Sequence, residues 1–261
     1  MLTVRGNFTY ARNKRLADGQ SYPHPWQDKV GVRFDERLGY QAMHLFSQEE
    51  LDALPDYYTQ LGMDTSQLHP GDIRYKDLND DGKVDSSDQT WMGHPNVPEM
   101  FYGFGAEMKW KQFDFSFLFQ GAGNRSTYLS AAWYFQPFQA DRGPKWMGNV
   151  MTIFLDRWTE DNPDPNAFSP RLTAGANANN YVTSTWWLRN SNYLRLKNIE
   201  LGYTLPANIA QKLSMSSLRV YVTAMNVYTF SKFINKFWDP ETGADKYPLQ
   251  RQVFVGINLN F

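Results

Sequence analysis

Residues 102–120 read YGFGAEMKWKQFDFSFLFQ. Up to Trp110, every second residue is apolar or aromatic: Tyr102, Phe104, Ala106, Met108 and Trp110 share one phase, with Gly103, Gly105, Glu107 and Lys109 between them. Beyond Lys111 and Gln112 the pattern resumes, with Phe113, Phe115, Phe117 and Phe119 on one side and Asp114, Ser116 and Gln120 on the other. Leu118 breaks the polar row. A period of two with polar partners describes strands that have one apolar and one wet face.

The same alternation recurs along the chain. It places Leu2, Val4, Gly6, Phe8 and Tyr10 in one phase, then Ile199, Leu201, Tyr203 and Leu205, then Leu218, Val220, Val222 and Ala224. The chain closes on Val253, Val255, Ile257, Leu259 and Phe261. Leu194 and Leu196 fall in the opposite phase to Ile199, which predicts a bulge near Lys197 and Asn198. Six spanning strands result.

Composition narrows the function classes. A net charge of −1 with scattered Lys and Arg gives no basic footprint for nucleic acid. The absence of cysteine removes disulfides, thiolate metal sites and a cysteine nucleophile. His24, His44, His69 and His94 are too far apart in sequence to suggest zinc. Aromatics reach 16% while mean hydropathy is −0.58. No apolar run approaches the roughly 18 residues of a membrane helix. MLTVRGNFTYARNK alternates from its second residue, so no signal peptide is expected there.

The connections are lopsided. Trp110–Phe113 and Leu205–Leu218 are short links, whereas segments 14–99, 122–189 and 231–249 are long and rich in Gly, Pro, Asn and Asp. A transmembrane barrel has short turns on the periplasmic side and long loops outside. On that topology Trp110, Phe113, Tyr203 and Phe261 fall at the periplasmic interface. Tyr10, Tyr102, Phe119, Tyr193 and Tyr228 fall at the outer one. Two aromatic girdles follow from one assumption, and a soluble sandwich explains neither them nor the loop asymmetry. Phe104, Phe115, Phe117, Val220, Val222 and Ile257 are then expected to face lipid, and Arg5, Glu107, Asp114, Glu200 and Arg219 the lumen.

Several runs resemble a known family. PGDIRYKDLNDDGKVD (70–85), YLRLKNIELGYTLP (193–206), LRVYVTAMNVYTF (218–230) and GINLNF (256–261) look like the C-terminal part of SusC/RagA-type TonB-dependent transporters. These are outer-membrane barrels of Bacteroidetes. The resemblance implies an all-β fold: about six antiparallel strands of a barrel of about 22 strands, with long extracellular loops. It implies import of glycans or peptides with a SusD-like surface lipoprotein, and coupling to the TonB complex through an N-terminal part. Residues 1–261 are accordingly expected to be the C-terminal barrel portion, without plug or N-terminal domain. The aromatic Phe261 after alternating apolar residues resembles the assembly signal of such barrels.

Residues 77–88, DLNDDGKVDSSD, carry a separate signal. Asp77, Asn79, Asp81, Asp85 and Asp88 occupy positions 1, 3, 5, 9 and 12 of a calcium loop, with Gly82 at the sixth place and the Lys83 carbonyl at the seventh. Hard oxygen donors at that spacing suit Ca²⁺. Pro70 and Gly71 before it, and Gly93, Pro95 and Pro98 after it, argue against flanking helices, so a stapling site is expected rather than a switch. No nucleophile elbow, phosphate loop or zinc signature is present, and an enzyme is not expected. Trp133, Tyr134, Phe135, Trp146, Trp158, Trp186 and Trp187 are expected to pack the loops, with sugar stacking or contact to a lipoprotein lid as the functional alternative. A secreted carbohydrate-binding module with a calcium-stabilised loop is the competing reading, and a β-sheet glycosidase the third.

Overall fold

The computed structural model describes residues 1–129, 151–175, 177–212, 214–233, 238–243 and 246–261. Trp133, Tyr134, Phe135 and Trp146 lie outside them. The chain divides into two compact units.

The first unit, residues 1–12, 97–126 and 190–261, is one antiparallel sheet. Its strands are β1 (Leu2–Tyr10), β2 (Met100–Trp110), β3 (Phe113–Gly123), β4 (Tyr193–Thr204), β5 (Ser217–Ser231) and β6 (Gln252–Asn260). They pair in chain order, each with its neighbour. The six expected strands are therefore present, and the architecture is the expected all-β antiparallel one.

Register carries the alternation across the whole sheet. One row runs Leu2, Met108, Phe115, Leu201, Val222, Val255, and the next on the same face runs Val4, Ala106, Phe117, Ile199, Ala224, Val253. Between them, on the opposite face, lies Thr3, Glu107, Ser116, Glu200, Thr223, Phe254. A slip of one residue anywhere would exchange the faces, so the pattern excludes odd shifts of register.

The predicted bulge is present. Pairing of β4 with β3 shifts between Leu196 and Asn198, and a second irregularity in β5 brings Tyr228 opposite Leu196. The extra residue restores Leu194 and Leu196 to the apolar face, pairing them with Gly121 and Phe119. Tyr193 is thereby turned to the opposite face, where it is buried, so it does not join the outer aromatic girdle. The other girdle has the expected register: Trp110 pairs with Phe113, and Phe113 with Tyr203 at a ring separation of 4.9 Å.

Lys111 and Gln112 make the β2–β3 turn, with Lys111 in the left-handed region at φ 53°. The β4–β5 link holds the helix Ala207–Lys212, which the sequence reading passed over. Pro206 stands just ahead of it, where a missing N–H is harmless, and its carbonyl accepts from Ile209 and Ala210.

The second unit, residues 13–96 and 127–189, corrects the view of these segments as plain loops. Short strands pair within it: Arg37–Tyr40 with Gln89–Met92, Ala42–Leu45 with Ile73–Tyr75, and Thr59–Gln60 with both Met63–Asp64 and Lys83–Val84. Tyr40, Leu45, Phe46, Leu51, Tyr58, Leu68, Ile73, Tyr75, Val84 and Ala167 form its core. Two of its buried polar side chains, Gln60 and Asp72, are heavily paired, which offsets the cost of taking them out of water. The Gln60 amide donates to the Ile73 carbonyl at 2.8 Å and accepts from Tyr58 and the Tyr75 N–H. Asp72 accepts from Arg171 (2.7 Å), Asn177 (3.1 Å), Asn180 (2.9 Å) and the His69 N–H (3.0 Å). Trp187 is 2% exposed and donates to the Asn180 carbonyl, so it packs the core of this unit. Trp158 and Trp186 pack against the same core.

Candidate functional site

Two features carry the chemistry: the polar face of the sheet and the acidic loop.

On the sheet, Arg219 of β5 reaches across to Asp114 of β3 and to Glu200 of β4, the latter at 2.6 Å. Glu200 also accepts from the Thr223 hydroxyl. Gly202 lies between Asp114 and Tyr221 in register. A Cβ there would collide with the Arg219 guanidinium and the Asp114 carboxylate, so the glycine makes room for the pair. Near one edge, Arg5 and Glu107 pair at 3.2 Å, but both are exposed and such a pair adds little. Arg5, Glu107, Asp114, Glu200 and Arg219 thus share one face, as expected. Phe104, Phe115, Phe117, Val220, Val222 and Ile257 share the other.

Arg195 was missed by the sequence reading. The bulge places it in phase with the polar face, where it is 1% exposed and paired to Asp239 and Glu241, each at 2.6 Å. Its Nε donates to the Thr229 hydroxyl. Arg125 adds a hydrogen bond of 2.6 Å to the Pro240 carbonyl. Two arginines therefore hold residues 239–241 to this unit. Only the bulge, once taken at face value, signalled the reorientation of Arg195.

The apolar face is exposed across the sheet. Val4, Phe104, Phe113, Leu201, Val222, Val255 and Ile257 all present side chains to the outside, with Val255 at 73%. An apolar surface spanning six strands is far beyond what a water-soluble monomer leaves uncovered.

In the loop, Gly82 at the sixth place has φ 80°, a conformation that favours glycine. The Asp77 carboxylate accepts from the Asp80 and Gly82 N–H groups, both at 2.8 Å. Asp81 accepts from Lys83, and Asp85 from Ser87. Asp88 is buried and accepts from Leu78 (2.7 Å) and Asp85 (2.8 Å). Asn79 donates to Asp81. Trp26 and Gln27 donate to the Ser87 and Ser86 carbonyls and clasp the loop. As expected, no α-helix flanks it: strands Ile73–Tyr75 and Gln89–Met92 stand on either side. The donor set suits a hard cation. Its carboxylates are engaged by backbone amides, however, and no three acidic or histidine side chains converge on a metal position among the described residues.

Burial raises the Asp88 carboxyl above its usual range, Asp77 and Asp85 add to the effect, and the Leu78 and Asp85 amides oppose it. A carboxyl raised on folding contributes stability below its unfolded value of about 3.9 and loses it as pH rises through the folded value. Asp88→Asn is expected to flatten that fall. Thermal midpoints of both proteins across the acidic range check it, and parallel curves would contradict the assignment.

A six-stranded antiparallel meander with an outward apolar face and an ion-paired polar face has the character of transmembrane β-barrel wall. No helix among the described residues is long and apolar enough to cross a membrane, which leaves crossing by strands untouched. Relatives and solved structures point the same way. No family model matches the chain. It is 28% identical to TonB-dependent receptor P26 of Formosa agariphila over 95% of its own length and 24% of the relative's. It is 25% identical to the TonB-dependent receptor SusC of Bacteroides thetaiotaomicron over 74% of its length and 18% of that protein's. The structure of the RagAB peptide transporter covers the whole chain with a TM-score of 0.67 at 21% identity, using 27% of that structure. The RagAB importer in its closed-closed state gives 0.64. The comparisons agree with the resemblance read from the residues: the chain is similar to TonB-dependent receptors, SusC among them, and shares the fold of part of RagAB. It spans between 18% and 28% of the length of the curated relatives it matches.

Proposed function

We propose that residues 1–261 are the C-terminal barrel portion of a TonB-dependent outer-membrane transporter that imports glycans or peptides together with a SusD-like surface lipoprotein. The observation that carries this reading is the two-faced sheet. Its apolar face would meet lipid, and the face bearing Asp114, Glu200 and Arg219 would line the lumen. The likeness to SusC and to RagAB supports it. Energy would come from the TonB complex through a plug and N-terminal part outside this sequence. A secreted carbohydrate-binding module would have to cover the apolar face with something else, and a glycosidase would need a carboxylate pair that neither the motifs nor the relatives suggest.

Growth on candidate glycans and peptides by a strain lacking the full-length gene tests the import reading. Loss of growth on one of them, restored by the gene, is the expected result; unchanged growth on all would overturn it. Pull-down of the full-length protein from detergent extracts is expected to recover a surface lipoprotein. Deleting Phe261 from the full-length protein is expected to reduce its level in the outer membrane, read by surface labelling. Normal levels would remove Phe261 as an assembly signal.

The 77–88 loop is proposed as a Ca²⁺ staple, with Asp77, Asn79, Asp81, Asp85 and Asp88 and the Lys83 carbonyl as donors. On this topology it lies outside the cell, where calcium is plentiful. Binding would draw the carboxylates of Asp77 and Asp81 from backbone amides to the ion and lower the Asp88 carboxyl. Calorimetry on the refolded protein, with Asp77→Ala and Asp81→Ala beside it, is expected to show heat in the wild type alone. No heat in the wild type, or equal heat in the variants, would remove the site.

A further inference from the structure

We propose that the small cavity lined by Arg189 in the second unit binds a carboxylate group carried by a soluble ligand. The cavity measures about 220 Å³ and is bounded by Ala42, Asn166, Ala167, Phe168, Thr185, Trp186 and Arg189. That volume falls below the roughly 300–1,000 Å³ of a whole-ligand pocket and suits one functional group.

The argument turns on charge. A buried cation ordinarily has a counterion, because burying it alone is costly. Arg195 meets Asp239 and Glu241, and Arg33 meets Glu36. Arg189, which is partly buried, has no carboxylate partner among the described residues. Its Nη1 donates to the Trp186 carbonyl and, at 3.4 Å, to the Leu188 carbonyl. Its Nε and Nη2 hydrogen bond to nothing among the described residues, and no carboxylate there pairs with it. Burial pushes the Arg189 guanidinium down, to about 10.

The guanidinium is also held in place. It lies 5.3 Å over the Phe168 ring, and Trp186 is fixed by its N–H to the Phe168 carbonyl. A planar fork with donors to spare, stacked on an aromatic ring, matches a carboxylate in bidentate geometry. The Asn166 side chain at the rim makes no hydrogen bond among the described residues and offers a further donor. The proposal is independent of the import reading, since it concerns what this chain binds by itself.

The test is direct binding to the full chain refolded in detergent. Carbon-13-labelled acetate is titrated at constant ionic strength in chloride, and its line broadening is followed. Saturable broadening is expected, weakened about tenfold or more by Arg189→Gln, the usual scale for a lost charge-assisted hydrogen bond. Ala42→Leu, which fills the cavity without touching Arg189, is expected to abolish it and serves if the first variant misfolds. Glucuronate and N-acetylglycine as competitors separate an acidic sugar from a peptide terminus as the source, and displacement by either supports the site. No saturation in the wild type, equal binding in a folded Arg189→Gln, or displacement by chloride as effective as by acetate would overturn it.

Discussion

Phe117→Arg in the full-length protein is expected to cost about 2–4 kcal/mol of folding stability in lipid, the scale for a cation at the bilayer midplane of a barrel. Phe117 sits in the middle of β3, between Ala106 and Ile199, on the face that carries Phe115 and Phe119. Ser116→Arg, one residue away, is expected to cost much less, because Ser116 lies in the row of Glu107, Glu200 and Thr223. A new cation there would meet carboxylates and water in place of hydrocarbon. Reversible urea unfolding in lipid vesicles compares the two. Equal costs would overturn the assignment of the faces, and with it the reading of the sheet as barrel wall.

The second large effect belongs to the other unit. Asp72→Ala is expected to cost about 3–5 kcal/mol, the range for removing one member of a buried charged pair. Asp72 is 1% exposed and accepts from Arg171 twice, Asn177, Asn180 and the His69 amide. Truncation would leave the guanidinium and two amides without their acceptor. Asp72→Asn retains one acceptor oxygen but removes the charge, so an intermediate cost is expected. Hydrogen exchange at Ile73 and Tyr75 reads the unit locally, since Ile73 N–H donates to Asn180 and Tyr75 N–H to Gln60. Unchanged protection in Asp72→Ala would show that the hub contributes little.

The two units differ in how far their sequence discloses them, for a physical reason. Alternation in the sheet is a one-dimensional signal: Phe113 to Phe119 names its own face without reference to any partner. The bulge could be read because Leu194 and Leu196 fell out of step. Its consequence for Tyr193 and Arg195 required following the phase through the extra residue. The second unit has no such period. Its core joins residues as far apart as Leu45 and Ala167, each from a strand of a few residues or from none. Its polar residues look like those of solvated loops, yet Gln60, Asp72, Asn179 and Asn180 are buried with partners. Composition cannot separate a buried, paired asparagine from an exposed one. The acidic loop was legible as spacing, and the glycine conformation at Gly82 agrees with it. Whether its oxygens turn toward a cation is a matter of side-chain rotation, which spacing leaves open. The Arg189 cavity had no sequence signal, because a missing counterion is a property of three-dimensional neighbours.

The Lys111–Gln112 turn has a consequence for the order of folding. Strands β2 and β3 are joined by two residues, so their pairing closes almost no loop, and hairpins of this kind form in about 1–10 μs. Strand β1 can reach β2 only after the chain from Ala11 to Glu99 has been brought back on itself, and β4 can reach β3 only after a comparable excursion. The entropy of closing such excursions grows only as the logarithm of their length, but non-local pairings still slow a chain that depends on them. The second unit is built from both excursions, with the β2–β3 hairpin as the covalent bridge between its halves. An early hairpin would therefore bring Tyr10 and Tyr193 within reach of their partners and shorten the search by which Gln60 meets Asn179. Lengthening that turn with flexible residues should slow assembly of the loop unit, although no residue of that unit would have been changed.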